Sequence, residues 1–265
     1  MKSPAKARFE GVVSPSDSAL SAARNILKHE YAIVEVSARA LMDAPQEQST
    51  AVHDLRVSGR RFRSAARLFK PLLQATDIKV CCAALKTLSD TLSPIRDSEV
   101  WLAFLDSVEL PATTRASAEL AALRDDVQRR YRRSRKAMAA CLSGEAMLAF
   151  LAHAPVLLDE QLPDLAGPGA ARSAAAHIAP RFRKRLAVLD EPMPDVRHMS
   201  CTVLHTLRKS VRQLRYWGEF SEPILEGPLP ALTSKLKDAA DGLGRVHDID
   251  VHIEQIDAED TALAD

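Results

Sequence analysis

Hydrophobic residues recur every three or four positions through most of the chain, a spacing typical of amphipathic α-helices. No run of Val, Ile or Thr alternates with polar residues at period two, so strands are not expected. The fold class is therefore predicted to be all-α. The pattern predicts a disordered tail over 1–16 and helices over about 17–42, 47–70, 76–92, 97–109, 112–142, 144–158, 170–190, 198–220, 229–243 and 247–257.

Two blocks of sequence occur twice, in the same order. VHDLRVSGRRFRSAARLF (52–69) matches LHTLRKSVRQLRYWGEF (204–220), and the offset of the leading histidines is 205 − 53 = 152. LKTLSDTLSPIRDSEVWLAFL (85–105) matches LKDAADGLGRVHDIDVHIEQI (236–256), with Asp97 aligned to Asp248 at 248 − 97 = 151. Two matches at nearly one offset indicate an internal duplication. We expect two helical halves, 17–160 and 171–265, joined by a linker at 161–170.

Each copy of the first block predicts a helix with one basic face. At about 100° per residue, its histidine and arginines fall within an arc of roughly 80°, opposite an apolar face. The first stripe consists of His53, Arg56, Arg60, Arg63 and Arg67, and the second stripe of His205, Arg208, Arg212 and Arg215, with Lys209 beside it. Neighbouring guanidinium groups repel one another by about 0.2–0.5 kcal/mol per pair. A stripe present in both copies therefore indicates an anionic ligand rather than a solvated face.

The pattern His-x-Leu-Arg-x-x-x-Arg-x-x-Arg, followed in each half by a block containing Asp97 or Asp248, resembles the CHAD domain, the conserved histidine α-helical domain. The resemblance extends from about residue 17 to about residue 257. It implies two pseudo-symmetric helical bundles around a central basic channel. It also implies that the ligand is inorganic polyphosphate and that the protein associates with polyphosphate granules, where other granule proteins are potential partners.

The charge balance separates this prediction from nucleic-acid binding. The net charge is +1 and the pI is about 7.8, so the arginines are concentrated in stripes rather than spread over a basic protein. Aromatic residues for base stacking are not interleaved with the stripes, although Tyr216 and Trp217 lie near the second one. Two alternatives stay open: a nucleic-acid-binding helical protein, and a helical scaffold that recruits partner proteins to granules.

Two further basic clusters lie outside the repeats. Arg129, Arg132, Arg133 and Lys136 share one face of the helix predicted over 112–142, and we assign this face to the polyphosphate site, with solvated surface as the alternative. The cluster at 181–185 is either solvated surface or a part of the same channel.

No residue set predicts a metal site or catalysis. His247, Asp248 and His252 have metal-binding side chains, but the repeat places Trp101 opposite His252, and tryptophan binds no metal. We expect Asp97 and Asp248 instead to cap a helix or to hold an arginine of a stripe. No phosphate-binding loop and no nucleophile with a plausible base are present in the sequence. The chain is therefore predicted to be a binding protein, with no catalytic residue and no cofactor.

The expected location is the cytoplasm. The four cysteines show no metal-binding or CxxC spacing, which is typical of reduced thiols. The first residues lack the apolar segment of a signal peptide, and no segment has the apolar length of a membrane span.

Overall fold

A computed structural model describes residues 8–43, 49–73, 77–109, 111, 115–164, 169–189 and 198–264. Side chains are described throughout these ranges except at 49, 163, 247, 248, 250–252 and 254–264. The described part is helical and contains no strand beyond two isolated bridges, so the all-α prediction is confirmed. The described residues form eight long helices: α1 (Ala19–Asp43), α2 (Ser49–Leu68), α3 (Ile78–Asp106), α4 (Arg115–Leu142), α5 (Glu145–Val156), α6 (Ala174–Ala187), α7 (Cys201–Ser221) and α8 (Leu229–Ala264). A π-helical turn, Leu157–Gln161, and a short turn, Leu162–Asp164, follow α5.

Two predicted helix breaks are wrong. Proline lacks an N–H group and usually ends a helix, yet α3 continues through Ser93 and Pro94. Leu92 and Ile95, on either side of this pair, are fully buried, so packing holds the helix together across the missing hydrogen bond. The expected interruption near 243–247 is also absent, since α8 is continuous there.

The predicted disordered tail is ordered from residue 8 onward, while residues 1–7 lie outside the described part. Phe9 is fully buried and makes an edge contact with Phe220 at a centroid distance of 5.2 Å. Arg8 pairs with the buried carboxylate of Glu30 at 3.2 Å. One aromatic side chain and one ion pair thus hold a segment whose composition alone predicts disorder.

Spatial contacts divide the chain into two compact units that differ from the two sequence halves. Unit 1 comprises Met1–Glu30, Arg61–Lys79 and Pro155–Asp265, and unit 2 comprises Tyr31–Arg60 and Val80–Ala154. The division by repeats, with its linker at 161–170, is a statement about sequence and stays a prediction.

In unit 2, α3 and α4 share an apolar core. Trp101 and Leu105 of α3 pack with Val127 of α4, and Leu102, Leu120 and Leu123 pack against this cluster from its edge. The Tyr31 hydroxyl donates a hydrogen bond to the Leu151 carbonyl at 2.9 Å. Burial raises the pKa of Tyr31 to about 12, and the nearby Glu35 acts in the same direction.

In unit 1, α7 is the central helix. Its C-terminal residues 216–221 are all buried, and the Trp217 indole donates to the Ser64 carbonyl of α2 at 3.0 Å. Helix α8 approaches α7 closely at Gly218, where a Cβ atom would lie 2.7 Å from Thr233 Oγ1. A larger residue at Gly218 would therefore require the Thr233 side chain or the helices themselves to shift.

No single described helix is both long and apolar enough to cross a membrane. One bent pair, α4 followed by Glu145–Gln161 at an angle of 48°, meets the length and composition criteria together.

Candidate functional site

The first stripe lies on α2 as predicted, with the apolar side chains Leu55 and Phe62 buried behind it. His53 and Arg67, near the two ends of the stripe, are exposed, whereas Arg56, Arg60 and Arg63 between them are half-buried. His53, Arg56 and Arg60 belong to unit 2, while Arg63 and Arg67 belong to unit 1. That the two stripes line one channel stays a prediction.

Arg56 and Arg60 are neighbouring cations that repel each other. Burial and repulsion by Arg60 lower the pKa of Arg56 to about 10. Asp97 and Glu99 oppose this shift without overcoming it. The Nε atoms of both arginines are buried and have no hydrogen-bond partner among the described residues. Arg56 is therefore charged at neutral pH, and the nearby carboxylates compensate its charge only in part.

The second stripe lies on α7. This helix begins after Ser200, whose hydroxyl accepts a hydrogen bond from the Val203 amide at 3.4 Å. All four stripe residues, His205, Arg208, Arg212 and Arg215, are half-buried and make contacts within the protein, while the adjacent Lys209 is exposed.

One contact recurs in both copies of the repeat. Arg56 Nη2 lies 3.4 Å from the hydroxyl of Ser93 on α3. The aligned residues are Arg208 and Gly244, and a Cβ atom at Gly244 would lie 3.8 Å from Arg208 Nη2. In each copy the same arginine therefore reaches the same position of the following long helix.

Arg215 is already neutralised by carboxylates, which distinguishes it from Arg56. Its Nε atom donates to Glu219 Oε1 at 2.8 Å, and its Nη1 atom lies 3.7 Å from Asp241 Oδ1. The other carboxylate oxygen of Glu219 accepts a 2.5 Å hydrogen bond from Arg61 Nη2 of α2. Glu219 thus joins the two repeated helices through one buried carboxylate. This contact reduces what Arg215 can offer to an anion.

Sequence reasoning missed the role of Arg61, which lies about 80° from the stripe on the helical wheel. The structure buries Arg61 with 7% exposure, pairs it with Glu219 and places its guanidinium 5.2 Å from the Tyr216 ring centroid. The spacing of Arg215 and Glu219 at i, i+4 is visible in the sequence. The partner of Arg61 is 158 residues away, and no local pattern reveals it.

The basic cluster of α4 is exposed in unit 2. Arg129, Arg132, Arg133 and Lys136 all face solvent, on a helix whose buried face consists of Val127, Met138 and Leu142. Asp126 pairs with Arg129 at 3.1 Å and with Arg130 at 2.7 Å. Its participation in ligand binding stays a prediction.

The cluster at 181–185 lies on α6, and its contact with α7 is on the side of α7 opposite the second stripe. Arg185 of α6 donates to the Ser210 hydroxyl of α7 at 2.9 Å. Ser210 lies about 180° from the centre of the second stripe on the helical wheel. Arg181 donates to the His177 carbonyl at 2.7 Å, and its pKa is lowered by burial and by Arg172. Arg185 therefore packs behind α7, away from the second stripe.

The two aligned aspartates of the second block are not helix caps, since Asp97 lies inside α3 and Asp248 inside α8. The negative charge of Asp97 favours the charged form of Arg56, which agrees with the alternative role predicted for Asp97, that of holding an arginine of the stripe. The side chains of His247, Asp248 and His252 lie outside the described part. Among the described residues, no group of three or more potential ligands could hold a metal ion.

The comparisons with known proteins agree with this architecture. The CHAD domain family model matches residues 19–257, and the chain belongs to the CHAD domain family. The crystal structure of the CHAD domain from the plant Ricinus communis is similar in fold, with a TM-score of 0.75 and 22% sequence identity over 95% of this chain and 83% of that chain. No curated protein matches the sequence.

Proposed function

We propose that this CHAD domain protein binds inorganic polyphosphate through the first and second stripes and does not hydrolyse it. The observation that carries the proposal is the pair Arg56 and Arg60. Burial, followed by repulsion from Arg60, lowers the pKa of Arg56 to about 10, and the Nε donors of both arginines are buried without an acceptor among the described residues. A bound anion would offset the repulsion between the two guanidinium groups.

The spacing of the stripe suits a chain of phosphates. Arginines three and four residues apart on a helix lie about 5–6 Å from one another, so successive groups of a flexible polyanion can meet successive guanidinium groups. Each guanidinium is planar and can donate two hydrogen bonds to one phosphate. Each neutralised charge releases a counterion, and we therefore expect binding to weaken steeply with salt.

The aromatic residues near the second stripe favour polyphosphate over single-stranded nucleic acid. Tyr216 is 5% exposed and Trp217 is 7% exposed, so neither ring is available to stack on a base. The Tyr216 ring lies instead against Arg61 and Arg215, within 6.0 Å of each guanidinium.

In the cell, such binding would anchor the protein to polyphosphate granules in the cytoplasm. The stripes would then serve as the anchor, and other surfaces of the domain would be available to granule proteins. This cellular role rests on the polyphosphate proposal.

The test reverses the central charge of each stripe. We expect Arg60→Glu combined with Arg212→Glu to lower the affinity for labelled long-chain polyphosphate at least tenfold, about 1.4 kcal/mol. The logarithm of affinity should also depend less steeply on the logarithm of salt concentration. Competition with pyrophosphate, single-stranded DNA and duplex DNA at physiological salt measures selectivity, and a phosphate-release assay tests for hydrolysis.

The matched control is Arg39→Glu combined with Lys79→Glu. Both residues are exposed and lie outside the stripes, and the change in net charge is the same. Arg60→Gln combined with Arg212→Gln provides a milder pair if the reversed charges disturb the fold. If the stripe and control variants lose the same polyphosphate affinity, binding depends on net charge rather than on the stripes. If duplex DNA displaces polyphosphate at equal phosphate concentration, the nucleic-acid alternative is favoured.

A further inference from the structure

A further pair of neighbouring cations lies in unit 1, outside the two stripes. Arg181 is on α6, and Arg172 is in the turn that precedes this helix. Burial, followed by repulsion from Arg172, lowers the pKa of Arg181. Burial also lowers the pKa of His177, and both arginines act in the same direction. Arg172 and Arg181, which we call the α6 arginine pair, therefore concentrate positive charge around one buried histidine.

Backbone contacts fix the positions of both arginines. The Arg172 amide donates to the Gly169 carbonyl at 3.1 Å, and the Arg172 carbonyl accepts a hydrogen bond from the Ala19 amide at 2.7 Å. Gly169 has a φ of +92°, which side chains disfavour, so this turn depends on glycine. Arg181 is half-buried, and its Nη1 atom donates to the His177 carbonyl at 2.7 Å. The Arg181 guanidinium is thus held by a neutral acceptor, which leaves its charge in place.

Arginines elsewhere at the surface are paired with carboxylates. Such pairs, with 2.8–3.3 Å between nitrogen and oxygen, are made by Arg24, Arg39, Arg96, Arg115, Arg124 and Arg129. Among the described residues, no carboxylate forms an ion pair with Arg172 or Arg181, and none acts on the pKa of Arg181 or of His177. Two neighbouring guanidinium groups that lack a carboxylate gain from a bound anion.

Helix α6 packs behind both repeated helices. Arg185, one turn after Arg181, contacts Ser210 on the side of α7 opposite the second stripe. His177 stacks on Phe69, which lies on the opposite side of the helical wheel from the first stripe. The α6 arginine pair is therefore approached from another direction than the stripes.

We propose that the α6 arginine pair binds the diphosphate group of a short anion, such as free pyrophosphate or a nucleoside diphosphate. Each guanidinium can donate two hydrogen bonds to one phosphate, so two arginines match two linked phosphates, whereas a stripe matches a longer chain. The bound charge would offset the repulsion between Arg172 and Arg181. This site goes beyond the polyphosphate proposal and does not depend on it, because none of its residues belongs to a stripe.

Isothermal titration calorimetry with pyrophosphate, ADP and inorganic phosphate tests the site. The full chain carries Arg60→Gln and Arg212→Gln, which weaken competing binding at the stripes. We expect saturable binding of pyrophosphate and ADP with similar affinity, because they share the diphosphate group, and weaker binding of inorganic phosphate. Adding Arg172→Gln and Arg181→Gln should lower the pyrophosphate affinity at least tenfold.

The matched control adds Arg115→Gln and Arg183→Gln instead, since both residues are exposed and the change in net charge is the same. Arg172→Gln alone, at an exposed position, is the milder variant if circular dichroism shows that the double substitution disturbs the fold. Nuclear magnetic resonance of the His177 ring reports on this site and not on the stripes. Bound pyrophosphate should raise the pKa of His177, because it offsets the repulsion by both arginines.

The proposal would be overturned by the absence of saturable binding, or by equal pyrophosphate affinity with and without the α6 substitutions. An equal loss in the control chain would also overturn it, since binding would then follow net charge. Pyrophosphate that binds without changing the pKa of His177 would lie elsewhere. In a chain with intact stripes, Arg172→Gln combined with Arg181→Gln should leave the affinity for long-chain polyphosphate nearly unchanged, and a tenfold loss would make the pair part of the stripe site.

Discussion

The first and second stripes share a sequence pattern but differ in the residue at their last position. In the first copy the stripe ends in Arg67, which is exposed. The aligned residue in the second copy is Glu219, since 219 − 67 = 152, and it is 4% exposed. One copy therefore extends its row of cations, while the other ends in a carboxylate that neutralises Arg215 and Arg61.

Under the polyphosphate proposal, this difference would divide the stripes into a binding part and a structural part. Arg56 meets a serine hydroxyl and remains under repulsion from Arg60, whereas Arg215 meets two carboxylates. A cation that is destabilised in the free protein gains most from an anionic ligand, and one that is already paired gains least. We therefore expect polyphosphate affinity to depend more on Arg56 than on Arg215.

The largest expected effect is on stability, at the carboxylate that joins the two copies. Glu219→Gln keeps the shape of the side chain but leaves Arg61 as a buried charge without a counterion. We expect the free energy of unfolding to fall by about 3–5 kcal/mol, measured by urea denaturation. Glu35→Gln, which breaks the exposed pair with Arg39, should leave the unfolding midpoint nearly unchanged. Similar midpoints for the two variants would show that Glu219 does not join the helices.

His177 packs against Leu68 and Phe69, just after the last residue of the first stripe, and should make the stability of the protein depend on pH. His177 stacks on Phe69 at 5.3 Å, its Nε2 atom lies 3.4 Å from the Leu68 carbonyl, and burial followed by repulsion from Arg181 lowers its pKa to about 4. Because the folded pKa lies below the unfolded value of about 6.5, stability is full above about pH 6.5 and is lost as the pH falls toward 4.

The loss should reach up to about 3 kcal/mol, and His177→Leu should reduce it because leucine does not titrate. Urea denaturation of both chains between pH 7.5 and 4 measures the difference. The same pH dependence in both chains would assign the effect to other groups.

Arg56→Gln should have opposite effects on stability and binding. Removing the repelled cation should raise the free energy of unfolding by roughly 1 kcal/mol, while losing a charge-assisted contact should lower polyphosphate affinity about tenfold. Arg215→Gln should lower stability and change affinity less than about threefold, since its charge is already paired. Thermal unfolding and titration with polyphosphate of both variants test this contrast. If both variants lose the same affinity, the two stripes contribute equally to binding.

The smallest effect is expected at Arg67, the cation that the second copy lacks. Its side chain is exposed, so Arg67→Gln should leave stability unchanged and lower affinity about two- to threefold. The slope of the logarithm of affinity against the logarithm of salt should fall by about one unit. A tenfold loss would place Arg67 at the centre of the site rather than at its end.

The periodicity of the sequence was sufficient to predict the all-α class, most helix bounds and the two stripes. These properties are local: a helix places residues three and four apart on one face whatever surrounds it. The repeat predicted one of two roles for Asp97, a helix cap or support for an arginine of the stripe; Asp97 is not a cap, and its charge acts on Arg56.

Only the tertiary structure decided which cations are paired and where the helix continues through a predicted break. Pro94 remains inside α3 because its neighbours Leu92 and Ile95 are buried, and Phe9 orders a segment that composition predicts to be disordered. Arg61 became structural because α7, distant in sequence, brings Glu219 to it. Helical spacing determines the face on which a charge lies, whereas burial and the partners contributed by distant segments determine whether that charge is available to a ligand.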